Sequence, residues 1–248
     1  LTLNYKEKNI MERLYDKIKI DAAIAPVSLA STSATSLYYR ANEFRKLGFI
    51  ISAAAIAATK TVVAQVVQAT DSAGTSSKNV TSATATITAN SKVKRATLTL
   101  SGAAATNTCV INGLTFTGAA ATSYSDREFI ASGTDTQDAA ALVLCVNHAT
   151  YGVPGVTASN ASGVVTLTAT EPGDISISVT GGTNITAATL DACAYIEINA
   201  EDLDKNNGFK YAAITVTTDA TIVAGVNLIR GDARYSPIQY FADEYKSV

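Results

Sequence analysis

Residues 61–69 read TVVAQVVQA, so an extended chain puts Thr61, Val63, Gln65, Val67 and Ala69 on one side and Val62, Ala64, Val66 and Gln68 on the other. A β-branched run of this kind loses side-chain freedom in a helix and fits a pleated sheet. With both sides largely apolar, the strand is expected to be covered on both faces, as in one layer of a sandwich. Comparable runs recur as FRKLGFIISAAAI, SATATITAN, AYIEINA, FKYAAITVTT and TIVAGVNLI, with turn signals such as DSAGTSSKN between them. The expected fold is therefore mainly β, a jelly-roll-like β-sandwich, and 248 residues are enough for one large β domain or two smaller ones. Three segments read as helical instead. Residues 10–20 place Ile10, Leu14 and Ile18 roughly on one face, and residues 52–60 form an Ala-rich stretch that the following β-branched run pulls towards sheet. The best helix is DTQDAAALVLCVNHAT, with Asp135 or Thr136 as N-cap and Ala139, Leu142, Val143 and Val146 towards a core.

Charge divides the chain. Between Ala96 and Cys193 lie seven acidic residues (Asp126, Glu128, Asp135, Asp138, Glu171, Asp174 and Asp191) and one basic residue, Arg127. The remainder holds 18 basic against 14 acidic residues, so the two parts carry −6 and +4 of the total −2. That asymmetry marks a separate module. The expected organisation is an N-terminal helix and extended arm over 1–35, a sandwich split between 36–95 and 194–237, an inserted acidic β-rich module with one helix over 96–193, and a tail over 238–248. Within the module, NTCVINGLTFTG reads as strand with an Asn-Gly turn, and GVTASNASGVVTLTATEPGDISISVTGG as a hairpin with a further strand.

Residues able to carry chemistry are few. Only 16% of the chain is charged, and a net charge of −2 gives no electrostatic reason to expect nucleic acid or anionic lipid. The longest apolar stretch, Leu47 to Thr59, is too short to span a bilayer, and the Lys- and Glu-rich first twenty residues do not read as a secretory signal. Cys109, Cys145 and Cys193 are far apart and unpaired in spacing, which suits small buried hydrophobes rather than a disulfide framework or zinc site. His148, the single histidine, follows Cys145 by three residues, but a nucleophile pair also needs an orienting partner and an oxyanion site, and neither is suggested. Phosphate loops are absent, and the acidic pairs Glu201/Asp202 and Asp243/Glu244 are adjacent rather than facing. DLDKNNG, residues 202–208, opens like a calcium loop with Asp202, Asp204 and Asn206 at alternate positions. Its glycine comes one residue late and Ala213 stands where a bidentate Glu belongs, so a β-connection is expected, with Asn206, Asn207 and Gly208 at positive φ. No enzyme, cofactor or metal site is expected. The remaining candidate is LYYRANEFRK, where Tyr38, Tyr39, Arg40, Phe44, Arg45 and Lys46 mix aromatic and cationic side chains in the proportions of a subunit interface.

SLYYRANEFRKLGFIISAAAIAATKTVVAQVVQATDSAGTSSKNV and INAEDLDKNNGFKYAAITVTTDATIVAGVNLIRGDARYSP together resemble a small structural protein of tailed phages and prophages, similar to capsid decoration proteins. The pattern is carried by Tyr38-Tyr39, by Gln68 to Asp71 with Gly74, Thr75 and Lys78, and by Leu203-Asp204 with Gly208-Phe209 and Arg234-Tyr235. The intervening INGLTFTG and VTASNASGVVTLTATEPG are similar to a module of phage tail and virion proteins. The resemblance implies a non-enzymatic capsid decoration or cement protein, present in many copies as a homo-oligomer in a virion assembled in the host cytoplasm. Its partners would be the major capsid protein or other virion subunits, with neither nucleic acid nor membrane. A tail or neck component is the alternative, and a surface carbohydrate-binding or adhesin module a third, which the lack of Trp disfavours.

Overall fold

The computed structural model describes residues 17–89, 91, 93–172 and 175–233. Before the acidic segment come β1 (Ile18–Ala30), β2 (Ser33–Thr35), β3 (Tyr39–Arg40), β4 (Phe44–Ala53), β5 (Ile56–Ala57), β6 (Thr61–Ala69) and β7 (Lys78–Thr88). The acidic segment contributes β8 (Arg95–Leu100), β9 (Thr108–Ile111), β10 (Leu114–Ala119), β11 (Glu128–Ile130), α1 (Asp135–Val146), β12 (Val156–Ala161), β13 (Val164–Ala169), β14 (Val179–Thr180) and β15 (Ile185–Leu190). After it come β16 (Ala192–Asn199), β17 (Tyr211–Thr218) and β18 (Thr221–Ala233).

The outer segments build two sheets, in the orders β1-β18-β4-β16 and β2-β17-β6-β7, with β3 also on β17. Every pairing in them is antiparallel. Their inner faces share a core in which Leu47, Phe49, Ile51 and Leu228 of the first sheet are buried with Val62, Val66, Ile214 and Val216 of the second. The protein is thus mainly β and sandwich-like. The large buried side chains of β4 from residue 47 onward, Leu47, Phe49, Ile51 and Ala53, fall at alternate positions and identify the inward side. Truncating Phe49, 0% exposed, to Ala would cost about 3–5 kcal/mol.

Two N-terminal expectations are corrected. Residues 18–20 belong to β1, not to a helix, and residues 10–16 lie outside those described. Residues 26–36 are not a free arm, because β1 runs along β18 as far as Ala30↔Thr221 and β2 continues on β17. Ser, Thr and Ala satisfy strand geometry once a neighbouring edge supplies hydrogen bonds, which a reading of local periodicity does not weigh. Residues 52–60 are not helical either: 52–53 end β4, 56–57 form β5, and the rest are loop and turn.

In the acidic segment the sheets run β12-β13-β8-β15-β5 and β11-β10-β9-β14. The first therefore takes its last strand, β5, from the preceding part of the chain, with Ala188↔Ala57 and Thr189↔Ile56 in register. Two hairpins turn on Asn112-Gly113 (φ 48° and 80°) and Ser162-Gly163 (φ 48° and 80°), the doubly positive pair that a type I′ turn requires. Helix α1 lies on β11, β12 and β13, with Ala139, Leu142 and Val146 buried and Val143 half-buried. Its N-cap is Thr134, one residue before the expected pair. The Thr134 N–H donates to Gln137 Oε1 at 2.9 Å, and the Gln137 N–H donates to Thr134 Oγ1 at 3.4 Å, a reciprocal capping box. Asp135 is the first helical residue, and its Oδ1 instead accepts the Gly102 N–H at 2.7 Å.

Candidate functional site

The six aromatic and cationic residues divide between core and surface. Phe44 is 4% exposed, Tyr38 and Tyr39 are half-buried, and Arg40, Arg45 and Lys46 are exposed. Tyr39 and Phe44 meet Arg230, a residue the sequence reading passed over. It sits on β18 at the same parity as Val226 and Leu228, so it points inward, and it is only 8% exposed. Its Nε and Nη2 each lie 2.8 Å from Asp21 Oδ2 on β1. Its Cζ is 5.0 Å from the Phe44 ring centroid and 5.5 Å from that of Tyr39, within cation–π range. Tyr39 and Phe44 therefore pack against an internal ion pair, and Phe44 is a core residue, whereas the Tyr38 ring lies against Gly74. The cations face water beside acidic partners: Arg45 Nη1 is 3.7 Å from Asp232 Oδ2, and Lys46 Nζ is 3.1 Å from Glu197 Oε1. The parity of Arg230 with Val226 and Leu228 was a signal available in the sequence.

Lys46 leads to a second arrangement. Tyr195 donates its hydroxyl to Glu197 Oε2 at 2.7 Å, and its ring covers the place where residue 48 would carry a side chain. A Cβ on Gly48 would stand 2.5 Å from the Tyr195 hydroxyl oxygen, so glycine is what lets the ring lie against the strand. Partial burial and the neighbouring carboxylate push the Tyr195 phenol up to about 12. The Tyr195 hydroxyl and Lys46 hold the Glu197 carboxyl below its ordinary value.

The DLDKNNG loop closes the same end of the sandwich with its own partners. Leu203 is 4% exposed and belongs to the core. Asp202 Oδ2 accepts the Asn199 N–H at 2.7 Å, while Asp204 Oδ2 accepts from Lys78 Nζ and from Asn207 Nδ2. Lys78 also lies 4.3 Å from the Phe209 ring centroid. Of the three residues expected at positive φ, only Gly208 is there, at 80°; Asn206 and Asn207 belong to a short 3-10 turn, Lys205–Asn207.

Cys145 and His148 are directed to different neighbours. Cys145 Sγ donates to the Glu128 carbonyl at 3.3 Å, and burial pushes its thiol up to about 11, away from the thiolate a nucleophile needs. The His148 ring is stacked between Tyr124 and Tyr151, centroids 4.5 and 5.3 Å away, while its Nδ1 accepts the Tyr151 N–H at 3.2 Å. Cys109 and Cys145 are buried as expected, but Cys193 is exposed, because Ala192, Ile196 and Ile198 take the inward parity of β16. Among the described residues, no helix is long and apolar enough to cross a membrane.

Comparison of the chain with protein-family models, with curated proteins and with solved structures finds no match.

Proposed function

We propose that this chain is a non-enzymatic structural subunit of a phage virion, a decoration or cement protein bound in many copies to a capsid lattice. The observation that carries the reading is the polarity of the first sheet. Ile18↔Gly231 and Phe44↔Ala233 place the start of β1 and the end of β18 together at one end of β4, whereas Ala53↔Ala192 places the departure of the acidic segment at the other. The ten residues of β4 separate these ends by roughly 30 Å. The exposed Arg45 and Lys46 lie at the first end, which suits attachment. A segment of net charge −6 at the other end would repel its copies on neighbouring subunits and favour a position pointing away from the lattice. On this reading the segment is an insertion, borne by a sandwich that attaches.

The similarity of INGLTFTG and VTASNASGVVTLTATEPG to tail modules favours a second reading, a tail or neck component. Gold-labelled antibody against the protein, viewed on negatively stained particles, distinguishes the two: label over the head supports decoration, and label on the tail or neck supports the alternative. Attachment is tested with Arg45→Ala combined with Lys46→Ala, both exposed. These changes should release the protein from particles while leaving its melting temperature within a few degrees. Full incorporation would contradict attachment through that end.

A further inference from the structure

The two sheets present different outward faces. On the second, Val63, Gln65, Thr84, Thr86, Thr215 and Thr217 share the side opposite Val62, Ala64 and Val216, which is the polar composition a solvated sheet face should have. The first sheet departs from that rule. Opposed residues share a face, so the registers Ile20↔Ile229, Ile229↔Gly48 and Ile50↔Tyr195, with Ile18↔Gly231, gather Ile18, Ile20, Ile50, Ile229 and Tyr195 on the side away from the core. The four isoleucines are half-buried, Tyr195 is 55% exposed, and no described strand or helix belongs to a layer over them. Polar groups share this face: Lys46 pairs with Glu197 at one end, and Asn227, opposite Ile50, and Ser52 lie beyond the isoleucines. Further along, the register of β1 slips between Ala22 and Val27, and Ile24, Pro26, Ser52, Cys193 and Gly225 line a depression of about 530 Å³.

We propose that this face is a homotypic interface, on which two copies of the chain pack first sheet against first sheet. The proposal rests on the reading of the protein as a repeated subunit, to which it adds the contacting surface. Size favours a second copy as the occupant. Four strands about 4.8 Å apart, paired over about nine residues, make a face of roughly 20 Å by 30 Å. Two such faces together bury on the order of 1,200 Å², the lower end of what a specific stable interface needs. Shape agrees at the isoleucine end, since Gly231 adds no side chain there and Gly48 lets the Tyr195 ring lie along the sheet, as sheet-on-sheet packing requires. A two-fold axis through the face brings each copy's isoleucine cluster against the same surface of the other, which is the self-complementarity an isologous dimer demands.

Sedimentation equilibrium of the full chain, without particles, tests this. The expected mass is twice 25.7 kDa at concentrations up to about 100 μM. Tyr195→Lys and Ile20→Glu should each weaken association at least about tenfold, while Thr215→Lys on the second sheet leaves it unchanged. Circular dichroism and melting temperature check that each variant is folded. A monomer at about 100 μM, whether the face is bare or covered by residues 1–16 or 234–248, would overturn the proposal, as would a dimer indifferent to both first-sheet changes. Failure here is separable from failure of the subunit reading. A monomeric chain that still enters particles defeats only the interface, whereas a dimer absent from particles defeats only the virion role.

Discussion

Arg95 and Asp191 face one another across the base of the acidic segment, Nε to Oδ2 at 2.6 Å, where both net charge and sheet membership change. The register Arg95↔Leu190 brings the two ends of the segment side by side, so a short linker could join them. A chain in which a Gly/Ser linker replaces residues 96–190 is expected to keep a β-type circular dichroism spectrum and to unfold cooperatively in urea. It forfeits the two pairings of β5, which cover Ile56, and the bonds of Val93 and Lys94 to Ile177 and Ala169, but keeps the core between the outer sheets. Soluble protein without a cooperative transition would show that the acidic segment is needed to fold the rest.

Arg230 is expected to matter more for stability than any surface ion pair. Arg230→Met keeps much of the packing against Tyr39 and Phe44 but leaves the Asp21 carboxylate, with a side chain 18% exposed, without its guanidinium. Lys19, 4.0 Å from Asp21 Oδ1, remains as a weaker partner, so the loss should be about 2–3 kcal/mol by urea denaturation, and adding Asp21→Asn should return part of it. For comparison, Arg45→Ala breaks a 3.7 Å pair whose side chains are 65% and 51% exposed, and should cost less than about 1 kcal/mol.

Thiol chemistry gives a count. Cys193 is exposed, whereas Cys109 and Cys145 are buried, their thiols pushed up by burial to about 12 and about 11. An aromatic disulfide reagent at neutral pH should label one thiol in the native protein and three after denaturation, and Cys193→Ser should abolish the native reaction. If the interface proposed for the first sheet forms, labelling at Cys193 should also slow with increasing protein concentration.

Glu197 sets an acid-side dependence. Its folded carboxyl lies below the ordinary value of 4.5 because the Tyr195 hydroxyl and then Lys46 favour the charged form. The stabilisation is therefore complete above that value and is lost as pH falls through the lower folded one. Tyr195→Phe removes the larger cause, so the Glu197 carboxyl should titrate at higher pH by NMR, and the variant should lose less stability between neutral and acid pH. An unchanged Glu197 titration would contradict the hydroxyl's role.

The sequence carried much of the sandwich. Alternation in TVVAQVVQA, in FRKLGFIISA and in TIVAGVNLI corresponds to β6, β4 and β18, and the apolar spacing of 139, 142 and 146 corresponds to the buried side of α1. What it did not reveal depends on partners distant in the chain. Residues 21–35 have no helical period and little apolar contrast, and they become strands because β18 and β17, far along the chain, offer edges. Phe44 shares the parity of the outward Lys46 and Ile50, so alternation alone would put it outside, yet it is buried with its ring 5.0 Å from the Arg230 Cζ. Cys193 illustrates the same limit: hydrophobicity suggested burial, while its parity with Tyr195 and Glu197 put it outside.

Quantitative mass spectrometry of purified particles tests the central claim most directly, by the ratio of this protein to the major capsid subunit. A repeated subunit predicts a fixed ratio, constant between preparations and unchanged by nuclease treatment or by a wash that strips loosely bound host protein. Trace amounts that vary between preparations, or disappearance on washing, would contradict a structural role in the virion.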